Sequence, residues 1–182
     1  VMAVVWGFVV VSTPAGAVVD SATIVPSPNA GTSNDRVVSV SCVSASDCVA
    51  VGFTDTEAAV ETLVMVWDGS VWSIVSSPNA GTINDALLSV SCVSATECVA
   101  VGSTFTSSDG ETLVIETLTM VWDGSVWSIV TSPNVGALGS ALSSVSCVSA
   151  SECVAVGSTF TDSAFETLVM VWDGSVWSIV TS

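Results

Sequence analysis

Residues 62–75 read TLVMVWDGSVWSIV. In an extended strand successive side chains project to opposite faces, so Leu63, Met65 and Trp67 line one face and Val64 and Val66 the other. Both faces are apolar. A segment of this kind must be covered from two sides, which a sheet with one solvated face cannot provide. Asp68-Gly69 then punctuates the pattern, and the dipeptide is read as a two-residue hairpin turn with positive φ at both central positions.

The stretch is not unique. It returns as TLTMVWDGSVWSIV at 117–130 and as TLVMVWDGSVWSIV at 167–180, and the surrounding sequence from 27 to 75 returns with it at 77–130 and 132–180. Cys42 and Cys92 are 50 residues apart, Cys92 and Cys147 55, and Trp122 and Trp172 50. The chain is thus three repeats of about fifty residues, with units at 27–76, 77–131 and 132–182. The five extra residues of the middle copy lie between Cys98 and Trp122, where ETLVI precedes ETLTM, and mark a rim loop or strand end.

Each copy divides into four short segments, in the first copy Val37 to Cys42, Cys48 to Phe53, Thr62 to Trp67 and Val71 to Val75. Their Val, Ile, Thr and Trp content predicts β-strands. Along the first, Val38, Val40 and Cys42 alternate with Ser39 and Ser41; along the second, Val49 and Val51 oppose the small set Cys48, Ala50 and Gly52. Four-stranded sheets stacked face to face around an axis satisfy these patterns, which is the arrangement of a β-propeller. Residues 18–26 align with a fourth strand and predict one orphan N-terminal strand ahead of three blades. Propellers normally hold about four to eight blades, so three predict an open arc, completed by further blades in the same chain or by self-association. A β-trefoil, also three repeats of four strands, is the alternative.

Composition narrows the function. Among 182 residues there are 17 Asp and Glu against one basic residue, Arg36, with no Lys, His or Tyr, for a formal net charge of −16. Imidazole bases, Schiff-base lysines and phosphate-binding lysines are therefore excluded. Nucleic acid and anionic lipid are excluded as partners, because both are held through Lys and Arg. Residues 1–17 form an apolar run ending in Ala15-Gly16-Ala17, read as a secretory signal peptide, with a membrane anchor as the alternative. The remainder, 18–182, is then secreted or at the cell surface, with no membrane association after cleavage.

The run VSCVSASDCVAVG, followed by TLVMVWDGSVWSIV, resembles the blades of secreted bacterial β-propellers of the kelch and BNR (Asp-box) kind. Asp68-Gly69-Ser70-Val71-Trp72 is one residue shorter between Asp and Gly than an Asp box, and the double glycine of kelch blades is missing. The resemblance implies a propeller fold and no specific activity.

Three C-x5-C pairs, Cys42/Cys48, Cys92/Cys98 and Cys147/Cys153, join the first and second segments of each unit. In an exported protein they predict three disulfides; zinc would call for a different spacing and for histidine. Trp67, Trp122 and Trp172 before the turn, and Trp72, Trp127 and Trp177 after it, keep strict register, which predicts packing between sheets rather than sugar stacking. Asp47, Glu97 and Glu152, and Glu61, Glu116 and Glu166, are read as a solvated rim. No catalytic residue, cofactor or metal is expected. The expected function is a non-catalytic extracellular binding or scaffold module for a protein or a glycan, with a fragment of a propeller-type hydrolase or a glycan-binding trefoil as alternatives. Selectivity would lie where the copies differ: 53–61, 103–111 and 158–165, and 33–37, 83–87 and 137–141.

Overall fold

The computed structural model describes residues 24–31, 34–81, 83–107 and 112–180. The leader expected over 1–17 and most of the orphan strand expected over 18–26 fall outside them, and residues 24–29 form no strand. Twelve strands are described. The first unit holds β1 (Asp35–Ser44), β2 (Asp47–Asp55), β3 (Val60–Trp67) and β4 (Trp72–Val75); the second β5 (Asn84–Ser94), β6 (Glu97–Ser107), β7 (Leu113–Trp122) and β8 (Trp127–Ile129); the third β9 (Gly139–Ser149), β10 (Glu152–Phe160), β11 (Phe165–Trp172) and β12 (Trp177–Ile179). The chain is all-β.

Within each unit the strands form an antiparallel meander. Cys48 to Asp55 pair with Trp67 to Val60, and β6 with β7 and β10 with β11 pair in the same way. Units are joined by single parallel bridges, Val60 with Asn84 and Ile115 with Gly139, giving an open mixed sheet. Its strand order runs from β1 to β12 without returning on itself. A trefoil closes its strands into a barrel, so that alternative does not describe this chain.

The doubly apolar third segment behaves as its pattern requires: Leu63, Val64 and Met65 are all buried. Val49, Val51 and Val64 of the first unit pack against Leu87, Val90, Ala100, Leu118, Met120 and Trp127 of the second. One unit on, Val99 and Val101 meet Leu142, Val145, Ala155, Leu168, Met170 and Trp177. Each such side chain contributes roughly 1.5–3 kcal/mol when fully covered. Thr119 occupies the middle copy's equivalent of Val64, and its hydroxyl donates to the Val130 carbonyl at 2.6 Å, so the buried position carries no unpaired oxygen.

Polar rungs accompany this packing. The amides of Val90 and Cys92 donate to the hydroxyls of Ser39 and Ser41 at 3.3 and 3.0 Å, and those of Val145 and Cys147 to Ser89 and Ser91 at 3.1 and 3.0 Å. The serines of the first segment are thus the means by which one unit holds the next.

Two local expectations are corrected. Simple alternation in the first segment fails because a bulge lies between Val37 and Ser39, repeated between Leu87 and Ser89. Val38 falls at the bulge, and the pair equivalent to the buried Leu87 and Val90 is Val37 and Val40. Glycine is required opposite the bulge: a Cβ on Gly102 would lie 1.9 Å from the Ala86 carbonyl oxygen. The Asp-Gly turn is also longer than expected. Trp67 pairs with Trp72, so four residues form the loop, and only its glycine, Gly69, has positive φ, at 92°. Asp68 instead accepts hydrogen bonds from the Ser70 and Val71 amides at 2.8 and 2.9 Å and from the Ser70 hydroxyl at 2.7 Å, a side-chain-closed turn.

Candidate functional site: a rim of variable loops

The meanders have two ends, and the sequence uses them differently. At one end sit the hairpins that hardly change between copies. Cys42–Cys48, Cys92–Cys98 and Cys147–Cys153 are disulfide-bonded there, each a cross-strand pair with Cα atoms 4.0 Å apart. Trp67, Trp122 and Trp172 donate their indole N–H to the carbonyls of Ala45, Ala95 and Ala150 at 3.0 to 3.1 Å, tying the fourth-strand hairpin to the disulfide hairpin. Each packs in a tilted arrangement against its partner across the turn, Trp67 on Trp72 at 5.6 Å between ring centroids, Trp122 on Trp127 at 5.6 Å and Trp172 on Trp177 at 5.5 Å. Trp127 and Trp177 are buried in the inter-unit cores. The tryptophans therefore pack, as their register predicted.

The repeated carboxylates at this end are occupied locally. Asp47 accepts from Ser44 and Ser46, and Glu97 and Glu152 accept from Ser94 and Ser149 at 3.1 and 3.2 Å. Asp68, Asp123 and Asp173 are held below the usual carboxylate range by the amides of Val71, Val126 and Val176, then by the hydroxyls and amides of Ser70, Ser125 and Ser175. At the opposite end Glu116 is reached by the Thr106 hydroxyl at 3.3 Å. Among the described residues no three His, Cys, Asp or Glu side chains are grouped as a metal site. The clefts between units at this end measure about 90 and 150 Å³, below the size of a small-molecule pocket.

The other end gathers the variable loops. The Val60 amide donates to the Ile83 carbonyl, Ile115 to Leu138, Asp55 to Asn34 and Leu138 to Phe160. The described parts of the two sets of loops that differ between copies, which are separated in sequence, are thereby laid side by side on one rim, while residues 33 and 108–111 of those loops lie outside the described residues. Side chains beneath support them: the invariant Asn79 and Asn134 accept from the Thr62 and Thr117 amides at 2.8 and 2.7 Å, and buried Asp85, whose place Ser140 takes in the third copy, accepts from the Gly81 amide at 3.1 Å. The middle copy's insertion lengthens its hairpin at this end, adding the pairs Thr106 with Val114 and Ser107 with Leu113.

One pair of equivalent positions near the rim end of the β2/β3-type hairpins changes character along the chain: Asp55 with Val60, Phe105 with Ile115, Phe160 with Phe165. Phe160 and Phe165 meet edge to face at 5.2 Å, and Phe165 remains 80% exposed. With Ile115, Leu138 and Ala164 they line an open depression of about 460 Å³. In the first unit the Arg36 guanidinium lies 5.5 Å from the Phe53 ring centroid, beside a wider polar depression with Asn34 and Asp55, whose side chains are 3.2 Å apart. Sequence reading bracketed most of these residues within variable loops, left Ile115 outside them, and noted Arg36 only as the one basic residue. The available signal was the exchange of carboxylate for aromatic at one repeat position.

No known protein family matches the chain, and no curated protein does. Among solved structures it is similar to the one described as "YCF48 bound to D1 peptide", a β-propeller, with a TM-score of 0.45 and 11% identity over 86% of this chain. The chain spans 60% of the length of that structure. No helix among the described residues is long and apolar enough to cross a membrane.

Proposed function

We propose that the chain is a non-catalytic binding module of propeller type, exported, in which stacked and disulfide-stapled sheets act as scaffold and the variable rim carries the contact surface. The observation that carries this reading is the convergence of both variable loop sets on one end, opposite the invariant hairpins. Loops held by a rigid scaffold are where selective contacts reside. The disulfides suit an oxidising compartment. Catalysis has no part in this reading: a composition with one Arg and no Lys or His offers carboxylates alone, and those of the repeated hairpins are engaged in turns.

The rim's chemistry supports one class of partner in this reading. An aromatic pair beside Leu138, with Phe165 exposed, on a chain of net charge −16, suits a protein segment that offers an apolar side chain flanked by Lys or Arg. Peptide-display selection against the immobilised oxidised chain, with a glycan array in parallel, tests the reading. Selected peptides should be rich in such a pattern and weaken tenfold or more, about 1.4 kcal/mol, on Phe165→Ala. Selected ligands that bind Phe165→Ala and Arg36→Ala as tightly as the parent would place the contact surface elsewhere and sink the proposal; glycan binding without peptide binding would replace the partner class.

A further inference from the structure

The internal interface between units is made twice, with one face of each sheet always meeting the opposite face of the next. At the two ends of the array the same faces stand open. In the first unit Val37 and Val40 are 51% and 57% exposed, whereas their counterparts are closed: Leu87 and Leu142 at 0%, Val90 and Val145 at 6% and 7%. In the third unit Val154 and Val156 are 46% and 43% exposed, against 5% and 0% for Val99 and Val101. The open groove formed by Ser146, Val148, Val154 and Val171 with Glu152 and Trp172 repeats, residue for residue, one wall of the inter-unit cleft of Ser91, Val93, Val99 and Val121 with Glu97 and Trp122. The second wall is missing. Polar groups tell the same story. Ser144 and Ser146 are the counterparts of the serines that accept amide hydrogen bonds from the next unit, and Val40 and Cys42 are the counterparts of the residues whose amides donate them.

We propose that the open face of the third unit receives the first unit of a second copy of this chain, repeating the internal interface head to tail. The occupant is identified by continuity with an interface already built twice: the face exposed at one end is the partner, side chain for side chain, of the face exposed at the other. Val154 and Val156 then cover Val37 and Val40, and Ser144 and Ser146 accept from the amides of Val40 and Cys42. Such an interface is heterologous, so it closes into a ring or grows as a fibre according to the rotation between units. The carboxylates oppose association at long range, and salt screens them, so assembly strengthens as ionic strength rises.

This inference does not depend on what the variable rim binds, and its test is separate. Sedimentation velocity of the oxidised full chain should show concentration-dependent species larger than a monomer, more of them at higher salt. The double substitutions Val37→Glu/Val40→Glu and Val154→Glu/Val156→Glu, each on already exposed positions, should both give monomers with unchanged β-sheet circular dichroism. Mixing the two should restore a one-to-one dimer that grows no further, since each supplies the face the other lacks. A chain that stays monomeric at all concentrations overturns the proposal and assigns the faces to another occupant, such as a further repeat unit. Association that survives either double substitution, or a mixture that fails to complement, overturns it as well.

Discussion

Asp68, Asp123 and Asp173 show how much one side chain settles in a turn. Each closes its loop by accepting two amides and a hydroxyl, which leaves only the glycine that follows in the left-handed region. Because these bonds favour the ionised carboxyl, its pKa lies below the ordinary value of 3.8. The stabilisation is therefore complete above the unfolded value and disappears as pH falls through the folded one. Asp123→Ala is expected to lower the melting temperature at neutral pH and to have a smaller effect in acid, once the pH has fallen through the lowered carboxyl pKa and the parent side chain is itself protonated; thermal melts across pH check this. An effect that is constant with pH would mean that the carboxylate's charge contributes nothing to the turn. The sequence announced a turn here but named the wrong kind, since Asp-Gly is compatible with both geometries and the choice depends on whether the aspartate side chain or the backbone closes the loop.

At the scale of the hairpin, the three disulfides staple the first and second strands of each unit at the end where the tryptophans also lock. Closing so short a loop restricts the unfolded chain by roughly 2 kcal/mol per bridge. The double variant Cys92→Ala/Cys98→Ala is expected to lose about that much in chemical denaturation, and alkylation of the denatured, unreduced chain should label no thiol. Labelling of all six cysteines would remove the bridges and the argument for export that rests on them. Strand limits and cysteine pairing were legible because they are local: period-two patterning, turn residues and a short spacing all act within one hairpin. The bulge at Val38 was not legible. It arises from fitting a first strand against a second that carries Gly52 opposite Arg36 and Val37, a contact between strands rather than a property of either.

At the scale of the molecule, burial depends on position in the array more than on residue type. Val40 and Val90 are the same residue at the same repeat position, yet one is 57% exposed and the other 6%. Val90→Ala should therefore cost about 2 kcal/mol, the loss of two buried methyl groups with some cavity, whereas Val40→Ala, measured in dilute protein, should stay within about 0.5 kcal/mol. Denaturation midpoints of the pair decide it, and equal losses would show that the first unit's face is covered even in the isolated chain. The stacking itself was foreseeable from Leu63, Val64 and Met65, because a strand apolar on both sides has no other way to be satisfied.

What this sequence determined by itself was the repeat, the all-β class, the cysteine pairs and the need for sheets covered on two faces, since each follows from residue spacing along the chain. Tertiary structure alone decided that the two variable loop sets share one rim, that Ser39 and Ser41 hold the neighbouring unit, and that Phe160 and Phe165 stand together where earlier units carry Asp55 with Val60 and Phe105 with Ile115. The first two are contacts between segments about twenty to fifty residues apart, and their partners become known only when the meanders pack; the third is a pair within one hairpin, set by the strand register.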